Sequence, residues 1–370
     1  MMMNAAPDYA ALRAQVRQFL ASEAEAGRFV PKVDSWVRGF SRDFSKRLAQ
    51  RGWVAMTVPE RFGGAGRTHL ERFVVAEELL AAGSPVLAHW AAERQVAPML
   101  LRIGTEEQQR RLLPGIVRGE SCFAIGLSEP DSGSDLASVR TKAVRVDGGW
   151  EITGQKVWTS AGHLADFMFV LCRTSESSER HEGLSQLMVT MSSAGVSARP
   201  ISTMSGEAEF AEVFFDRVFV PDTDVIGEVG RGWQQVTMEL GWERNGPDRY
   251  LSTYPLLARF FELEDESLEV QKGRLAAQLI ALRALAFETT TKGQEGLDFA
   301  ADAALVKDAG TRFEQDSVED VRRSLSSKVA DHPELDAHLK AAQFASPTFT
   351  IRGGTNEILR TITARRLVER

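Results

Sequence analysis

Inside the 370-residue chain the spacing of apolar residues changes twice, which leaves few possible architectures. From Cys122 to about Gly230 apolar residues recur at every second position, in short runs between turn residues, the pattern of β-strands. On either side they recur at helical spacing. The predicted fold class is α+β, with an N-terminal α-helical domain (1–121), a middle antiparallel β-barrel or sandwich domain (122–231) and a C-terminal domain like a four-helix bundle (232–370).

The same spacing predicts individual elements. The predicted helices are Tyr9–Glu25, Phe40–Arg51, Leu70–Ala82, Gln234–Glu243, Thr253–Phe261, Leu268–Gln294, Asp298–Ser324 and Pro333–Phe344. A hairpin is predicted for Ala143–Val146 and Trp150–Thr153, and further strands are Phe167–Cys172, Gln186–Met191, Val196–Ile201 and Glu212–Val220. One more helix is expected to begin at Thr105, with Gln108 completing a capping box, and to end at Pro114.

Composition narrows the possible partners. The net charge of −7 argues against a nucleic-acid-binding protein, because neutralising phosphates needs clustered Lys and Arg.

Cys122 and Cys172 lie in apolar runs, so we expect reduced core cysteines and a cytoplasmic protein. No run approaches 18 apolar residues and no secretion signal is apparent, so no membrane span is expected. The six histidines are too scattered to predict a metal site.

Two stretches of small hydroxyl residues follow strands of the β block. The first carries Ser128, Ser132 and Ser134, and the second is predicted as a loop with Trp158 and Ser160. Hydroxyl groups and backbone amides at strand ends suit a planar, hydrogen-bonding cofactor, and the indole could cover one of its faces. Two ordinary serine-rich turns are the alternative interpretation.

The order of these residues resembles the acyl-CoA dehydrogenase family. The matching segments are LSEPDSGSD (127–135), KVWTS (156–160), GWVAMTVPERFGG (52–64), GTEEQQRRLLPGIVRGE (104–120) and GGTNEI (353–358). With the first two segments counted as one region, four matching regions in the same order over most of the chain are far more specific than any single one.

The resemblance implies FAD as cofactor and dehydrogenation of an acyl-CoA between its α and β carbons, with electrons passed to an electron-transferring flavoprotein. Such enzymes act in β-oxidation of fatty acids or side chains. By the same resemblance the flavin contacts are Leu127, Ser128, Trp158 and Ser160, Ser134 lies toward the substrate, and Thr355 and Glu357 lie near the dinucleotide. Taken alone, Trp158 could be a core aromatic, and Thr355 could cap a helix that begins at Asn356.

The position of the catalytic base departs from the commonest family pattern. Much of the family carries a Glu directly before a Gly-Thr pair, where this chain has Gly353 followed by Gly354. A minority place the base on the first helix after the β domain, directly before an Arg, and Glu243-Arg244 matches that arrangement. The resemblance therefore implies Glu243 as base, Arg244 near the CoA portion, and a glycine pair that leaves room for the acyl group. A solvated Glu-Arg pair is the alternative interpretation.

Two family segments that reach across a subunit interface to FAD are missing. The chain has no Arg-x-x-Phe-Gly segment after the helix with Glu243, and no Gly-Gly-x-Gly loop between Gln343 and Gly353. We therefore expect either a homo-oligomer that holds FAD differently or a heterotetramer with a related subunit. Two alternatives keep the fold: a flavin oxidase, and a non-catalytic subunit that completes its partner's FAD site.

Overall fold

The computed structural model describes residues 8–176 and 179–368, and it confirms the α+β fold class with helices before and after a sheet. Many of the predicted bounds hold to within two residues. The helices before the sheet are α1 (Tyr9–Glu25), α2 (Ser35–Arg38), α3 (Arg42–Ala49), α4 (His69–Ala81), α5 (Leu87–Ala91), α6 (Ala97–Ile103) and α7 (Glu106–Val117), with a π-helical turn at Ala92–Val96 between α5 and α6.

The N-terminus of α7 has the predicted capping box, and its C-terminus was predicted wrongly. The Thr105 hydroxyl accepts a hydrogen bond from the Gln108 amide, and the Gln108 side chain accepts one from the Thr105 amide. The helix continues through Pro114 to Val117. Proline removes one helical hydrogen bond, but the buried Leu113 and Ile116 flank it and their packing outweighs that loss.

The strands are β1 (Phe123–Gly126), β2 (Lys142–Val146), β3 (Gly149–Ser160), β4 (Phe167–Arg173), β5 (Leu184–Thr190), β6 (Val196–Ile201), β7 (Phe210–Pro221) and β8 (Val225–Ile226). They form one mixed sheet that is mostly antiparallel, in the order β6-β7-β3-β2-β4-β5-β8, with β1 pairing in parallel with β4. The predicted hairpin joins β2 and β3 through a turn at Asp147 and Gly148, and Val146 pairs with Gly149 across it.

Helices return after the sheet. They are α8 (Gly232–Arg244), α9 (Tyr254–Phe261), α10 (Glu269–Gln294), α11 (Ala300–Leu325), α12 (Pro333–Phe349) and α13 (Asn356–Val368). Helix α12 extends five residues beyond the predicted end at Phe344, because Ala345 and Phe349 are buried and extend its apolar face. No helix in the described part of the chain is both long and apolar enough to cross a bilayer.

The chain folds into two compact units. The helical unit comprises Met1–Gly39, Arg67–Val86 and Arg244–Arg370; the sheet unit comprises Phe40–Gly66 and Leu87–Glu243. All strands lie in the sheet unit, where residues such as Ile152 and Leu187 form the core. The boundaries predicted from the sequence, 1–121, 122–231 and 232–370, stay a prediction. Cys122 and Cys172 are buried free thiols, as expected.

Candidate active site

The first hydroxyl-rich loop is fixed to strand β3 of the sheet unit by a buried ion pair. The Lys156 ammonium is fully buried and donates to the Leu127 carbonyl (3.0 Å) and to Glu129 Oε1 (2.8 Å). The Glu129 carboxylate also accepts hydrogen bonds from the amides of Arg140 (2.6 Å) and Thr141 (2.9 Å). Burial alone would raise the pKa of Glu129, but Lys156 and these donors outweigh it and lower that pKa. The carboxylate therefore stays ionised and holds the loop in place.

The segment with Trp158 and Ser160 was predicted as a loop, and that prediction was wrong. Strand β3 continues to Ser160, and a bulge inserts one extra residue between Lys156 and Thr159 where β3 pairs with β7. Trp158 occupies the bulge with a φ of +59°, a conformation that costs a non-glycine residue energy and that clusters at functional sites. Trp158 is 59% exposed and forms a T-shaped ring contact with Phe210, so it is not a core aromatic.

The same segment offers polar groups to a ligand. The Thr159 side chain is buried, and its hydroxyl has no hydrogen-bond partner among the described residues. Ser160 is exposed, and in the first hydroxyl-rich loop Ser134 is exposed and Ser128 is half-buried. The exposed Trp158 indole, the exposed Ser160 two residues further on and the unpaired buried Thr159 hydroxyl fit a planar, hydrogen-bonding ring such as that of FAD.

Helix α8 packs against the first loop within the sheet unit. Val236 of α8 shares a small apolar cluster with Leu171, and the partly buried Leu127 packs against it. Glu243 follows Val236 by seven residues, which places it on the same face of the helix, about 10 Å further along. Glu243 is half-buried, and its carbonyl accepts a hydrogen bond of 2.6 Å from Arg94.

In the helical unit a tight turn carries the glycine pair. Gly353 and Gly354 have φ values of +67° and +88°, which glycine adopts at little cost. The fully buried Lys307 ammonium donates to the carbonyls of Gly354 (2.7 Å) and Thr350 (3.2 Å) and to the side-chain oxygen of Asn356 (2.7 Å). These bonds hold both ends of the turn against α11.

A buried ion pair fixes the side chain of Arg352, the residue directly before the glycine pair. The Arg352 guanidinium donates to both oxygens of Asp34 (2.6 and 2.7 Å) and lies 4.3 Å from the centre of the Trp36 ring. Both partners are enclosed, with the Asp34 side chain 3% exposed. The turn is therefore fixed on its Arg352 side as well.

Two residues predicted to bind substrate come together in the helical unit. A Cβ built on Gly354 would lie 3.5 Å from Nη2 of Arg244, so the guanidinium packs close to the backbone of the turn. Thr355 caps α13, since its hydroxyl accepts a long hydrogen bond (3.5 Å) from the Ile358 amide, while Glu357 is exposed in the first turn. Helix N-termini favour phosphate groups.

Several residues that shape these segments were not predicted as site residues from the sequence. They are Lys156, Glu129, Arg94, Lys307, Arg352 and Asp34. A charged residue inside an apolar, periodic run is the signal that could have found Lys156 and Lys307, but it does not identify their partners. In the described ranges no group of three or more His, Cys, Asp or Glu could hold a metal ion.

Family models and similar proteins match this chain over almost all of its length. Residues 6–120, 124–218 and 262–368 match the family models for the N-terminal, middle and C-terminal domains of acyl-CoA dehydrogenase. Acyl-CoA dehydrogenase IpdE1 of Mycobacterium tuberculosis is 34% identical over 98% of this chain and 97% of its own length. Acyl-CoA dehydrogenase FadE34 of the same organism is 36% identical over 87% of this chain, which spans only 45% of that longer protein.

Two solved structures resemble the fold at 28% identity. One, described as the Tcur3481-Tcur3483 steroid ACAD, has a TM-score of 0.87 and covers 100% of this chain and 99% of its own. The other, the ChsE4-ChsE5 complex of Mycobacterium tuberculosis, has a TM-score of 0.83 with the same coverage.

Proposed function

Because the chain belongs to the acyl-CoA dehydrogenase family, we propose that it dehydrogenates an acyl-CoA between its α and β carbons, with FAD as cofactor and Glu243 as the base. The observation that carries this proposal is the packing of Arg244 against Gly354. It places Arg244 at the turn where much of the family carries its catalytic Glu. Glycine cannot accept a proton, and the residue directly before Arg244 is a carboxylate.

The chemistry divides between the chain and its cofactor. FAD, when bound, would supply the acceptor for the β hydrogen, which would leave as hydride to flavin N5. The chain must remove the α proton, which the thioester carbonyl makes only weakly acidic. Glu243 takes that proton onto its carboxylate, and its half-buried position limits competition from water. A single general base of this kind contributes about 10²- to 10⁴-fold to the rate.

The residues that would hold FAD are the ones that the family resemblance singled out. Leu127, Ser128 and Ser160 would contact the ring, and the exposed Trp158 would cover one of its faces. The N-terminus of α13, with Thr355 and Glu357, would face the dinucleotide, since a helix N-terminus favours phosphate. The unpaired Thr159 hydroxyl adds a polar group beside the proposed flavin-ring site.

The substrate is proposed to be a CoA thioester with a bulky or branched acyl group. Arg244 would lie toward the CoA portion, Ser134 toward the substrate, and the missing side chains at Gly353 and Gly354 would leave volume beside the acyl chain. One similar structure is described as a steroid ACAD, in keeping with an acyl group that carries rings.

The visible spectrum of the purified chain tests cofactor and substrate class together. We expect flavin absorbance that bleaches without oxygen on addition of a panel of straight, branched and ring-bearing acyl-CoAs. Glu243→Gln should stay yellow and lose at least about 100-fold in the rate of bleaching. The exposed Glu228→Gln is the matched control and should bleach normally. Normal bleaching by Glu243→Gln would refute Glu243 as base.

The electron acceptor is proposed to be an electron-transferring flavoprotein. The alternative is a flavin oxidase on the same fold, in which oxygen takes the electrons. Steady hydrogen peroxide production during turnover in air would favour the oxidase. Turnover that depends on added flavoprotein, with little peroxide, would favour the dehydrogenase.

A second candidate function is that of one subunit in a heteromeric dehydrogenase, either catalytic or completing its partner's FAD site. Helix α12 runs through Phe349, so only a short turn separates it from Gly353, where many relatives have a glycine-rich loop. One similar structure is a complex of two named proteins, ChsE4 and ChsE5. Expression of this chain alone tests the idea, because a fully flavin-loaded homo-oligomer with normal turnover would refute the need for a partner.

A further inference from the structure

The π-helical turn at Ala92–Val96 aims two neighbouring charged side chains at different parts of the sheet unit. Glu93 is 5% exposed, and its Oε2 accepts a hydrogen bond of 2.8 Å from the amide of Ala55. Arg94 is 6% exposed, and its guanidinium lies 5.5 Å from the centre of the Trp90 ring. A π-turn adds one residue to a helix and often occurs at functional sites. Here it directs Arg94 toward the end of α8.

Arg94 binds the last carbonyls of α8. Its Nη2 donates to the carbonyl of Glu243 (2.6 Å) and more weakly to that of Trp242 (3.3 Å). The final carbonyls of a helix have no partner within the helix, and a cation is favourable there. If Arg94 did no more than cap the helix, its hydrogen bonds would be an ordinary contribution to stability.

The two carbonyls matter because they belong to the two peptide groups that flank the Cα atom of Glu243. Each peptide group is planar, so fixing both planes fixes the φ and ψ of Glu243 and the direction of its Cα–Cβ bond. A displacement of about 1 Å at a catalytic group can cost about 100-fold in rate. Holding the backbone on both sides of Glu243 therefore bears directly on proton abstraction.

We infer that Arg94 is a positioning residue that sets the direction in which Glu243 presents its carboxylate to the α carbon of the substrate. This rests on the proposed function, in which Glu243 is the base. Arg94 need not touch substrate or cofactor, since it acts through the backbone of Glu243.

The experiment isolates proton abstraction from hydride transfer. The probe is the 3-thia analogue of whichever panel acyl-CoA the wild-type protein turns over fastest. It has an α proton but sulfur in place of the β carbon, so it can lose only the proton. Exchange of that proton with deuterated water is followed by mass spectrometry on the flavin-loaded protein, together with flavin content, the Kd of the probe and the thermal midpoint.

Arg94→Met should slow exchange by about 10- to 100-fold while flavin content and the Kd of the probe stay close to wild type. Arg94→Lys, which keeps the charge but loses the planar fork, should fall between Arg94→Met and wild type and covers the case in which Arg94→Met does not fold. Arg102→Met is the control, because Arg102 is exposed on the adjoining helix α6; it should exchange normally.

Normal exchange in Arg94→Met, or in Arg94→Lys if only that variant folds, would overturn the inference. A lower thermal midpoint with normal exchange would show a structural cap and nothing more. Glu243→Gln separates this failure from that of the proposed function. If Glu243→Gln loses exchange while the Arg94 variants keep it, only the positioning role fails. If Glu243→Gln exchanges normally, Glu243 is not the base and the inference falls with it.

Discussion

The guanidinium of Arg244 packs against Gly354, with Nη2 at 3.5 Å from the place where a Cβ would lie. Arg244 ends α8, and Gly354 belongs to the turn between α12 and α13. Two segments about 110 positions apart in the chain therefore meet where the family resemblance expects substrate. The contact supports the proposal that the glycine pair lies beside the substrate, which the following variant tests.

Gly354→Ala should destabilise the protein and narrow its substrate range. The added Cβ makes ordinary contacts, so the main cost is the φ of +88°, on the order of 1–3 kcal/mol for a residue other than glycine. The methyl group also occupies space beside Arg244, so kcat/KM should fall more for ring-bearing than for straight acyl-CoAs. Gly273→Ala is the control: Gly273 lies within α10 with open space around it, and alanine there should stabilise by about 0.5–1 kcal/mol. An equal loss for both substrate classes would contradict the role of the turn in specificity.

Lys307→Met should be strongly destabilising. The buried ammonium satisfies two backbone carbonyls and the Asn356 side chain, and methionine would leave all three acceptors without that donor. Leaving a buried acceptor without its donor typically costs about 1–3 kcal/mol for each group, measurable as a shift of the urea midpoint. Lys340→Met, at an exposed ion pair with Asp336, should change stability by less than about 1 kcal/mol. Similar small effects in both variants would show that Lys307 does not hold the turn.

Local patterns predicted much of the fold, because helix α1, the β2–β3 hairpin and the Thr105 capping box depend on residues close in sequence. Prediction failed where tertiary packing decided the outcome. Buried neighbours carry α7 through Pro114, and pairing with β7 turns the expected loop at Trp158 into a bulged strand. Motifs pointed to the candidate site residues, whose roles stay predictions.

The groups that hold those residues were not visible in the sequence. Lys156 and Lys307 each bind partners at least 27 positions away, and no spacing rule connects them. The same holds for the ion pair between Asp34 and Arg352, which lie 318 positions apart. Such pairings depend on the folded structure. A sequence pattern can therefore identify an unusual charged residue without identifying its hydrogen-bond or ion-pair partner.

Lys156→Met should release the first hydroxyl-rich loop from β3 and weaken FAD binding. The substitution removes the donor to the Leu127 carbonyl and leaves the Glu129 carboxylate buried without its cation, at a cost of about 3–5 kcal/mol. Adding Glu129→Gln removes the unpaired charge and should recover much of the stability, but it restores no donor to the Leu127 carbonyl. The double variant should therefore fold and still bind FAD more weakly, as measured by flavin retention on dialysis. Normal retention would show that the ion pair stabilises the sheet without positioning the loop.

Glu314 is fully buried in the helical unit. Its Oε1 accepts a hydrogen bond of 2.6 Å from the Ser252 amide, and its Oε2 has no partner among the described residues. Burial raises its pKa from 4.5 to about 8, although the charge of Arg352 acts in the opposite direction and that of Asp34 raises the pKa further. Between those two pH values the folded protein holds a proton that the unfolded chain has lost.

Stability should therefore be highest toward the acidic end of this window and fall as the pH rises from about 5 to about 8, by up to about 1.4 kcal/mol per pH unit from this group. Glu314→Gln keeps a neutral acceptor for the Ser252 amide and has no proton to lose, so its free energy of unfolding should vary less with pH and exceed that of the wild type at pH 8. Asp316→Asn, an exposed change on the same helix, should keep the wild-type slope. Urea unfolding at several pH values measures all three proteins, and parallel curves for wild type and Glu314→Gln would mean that Glu314 does not bind the proton.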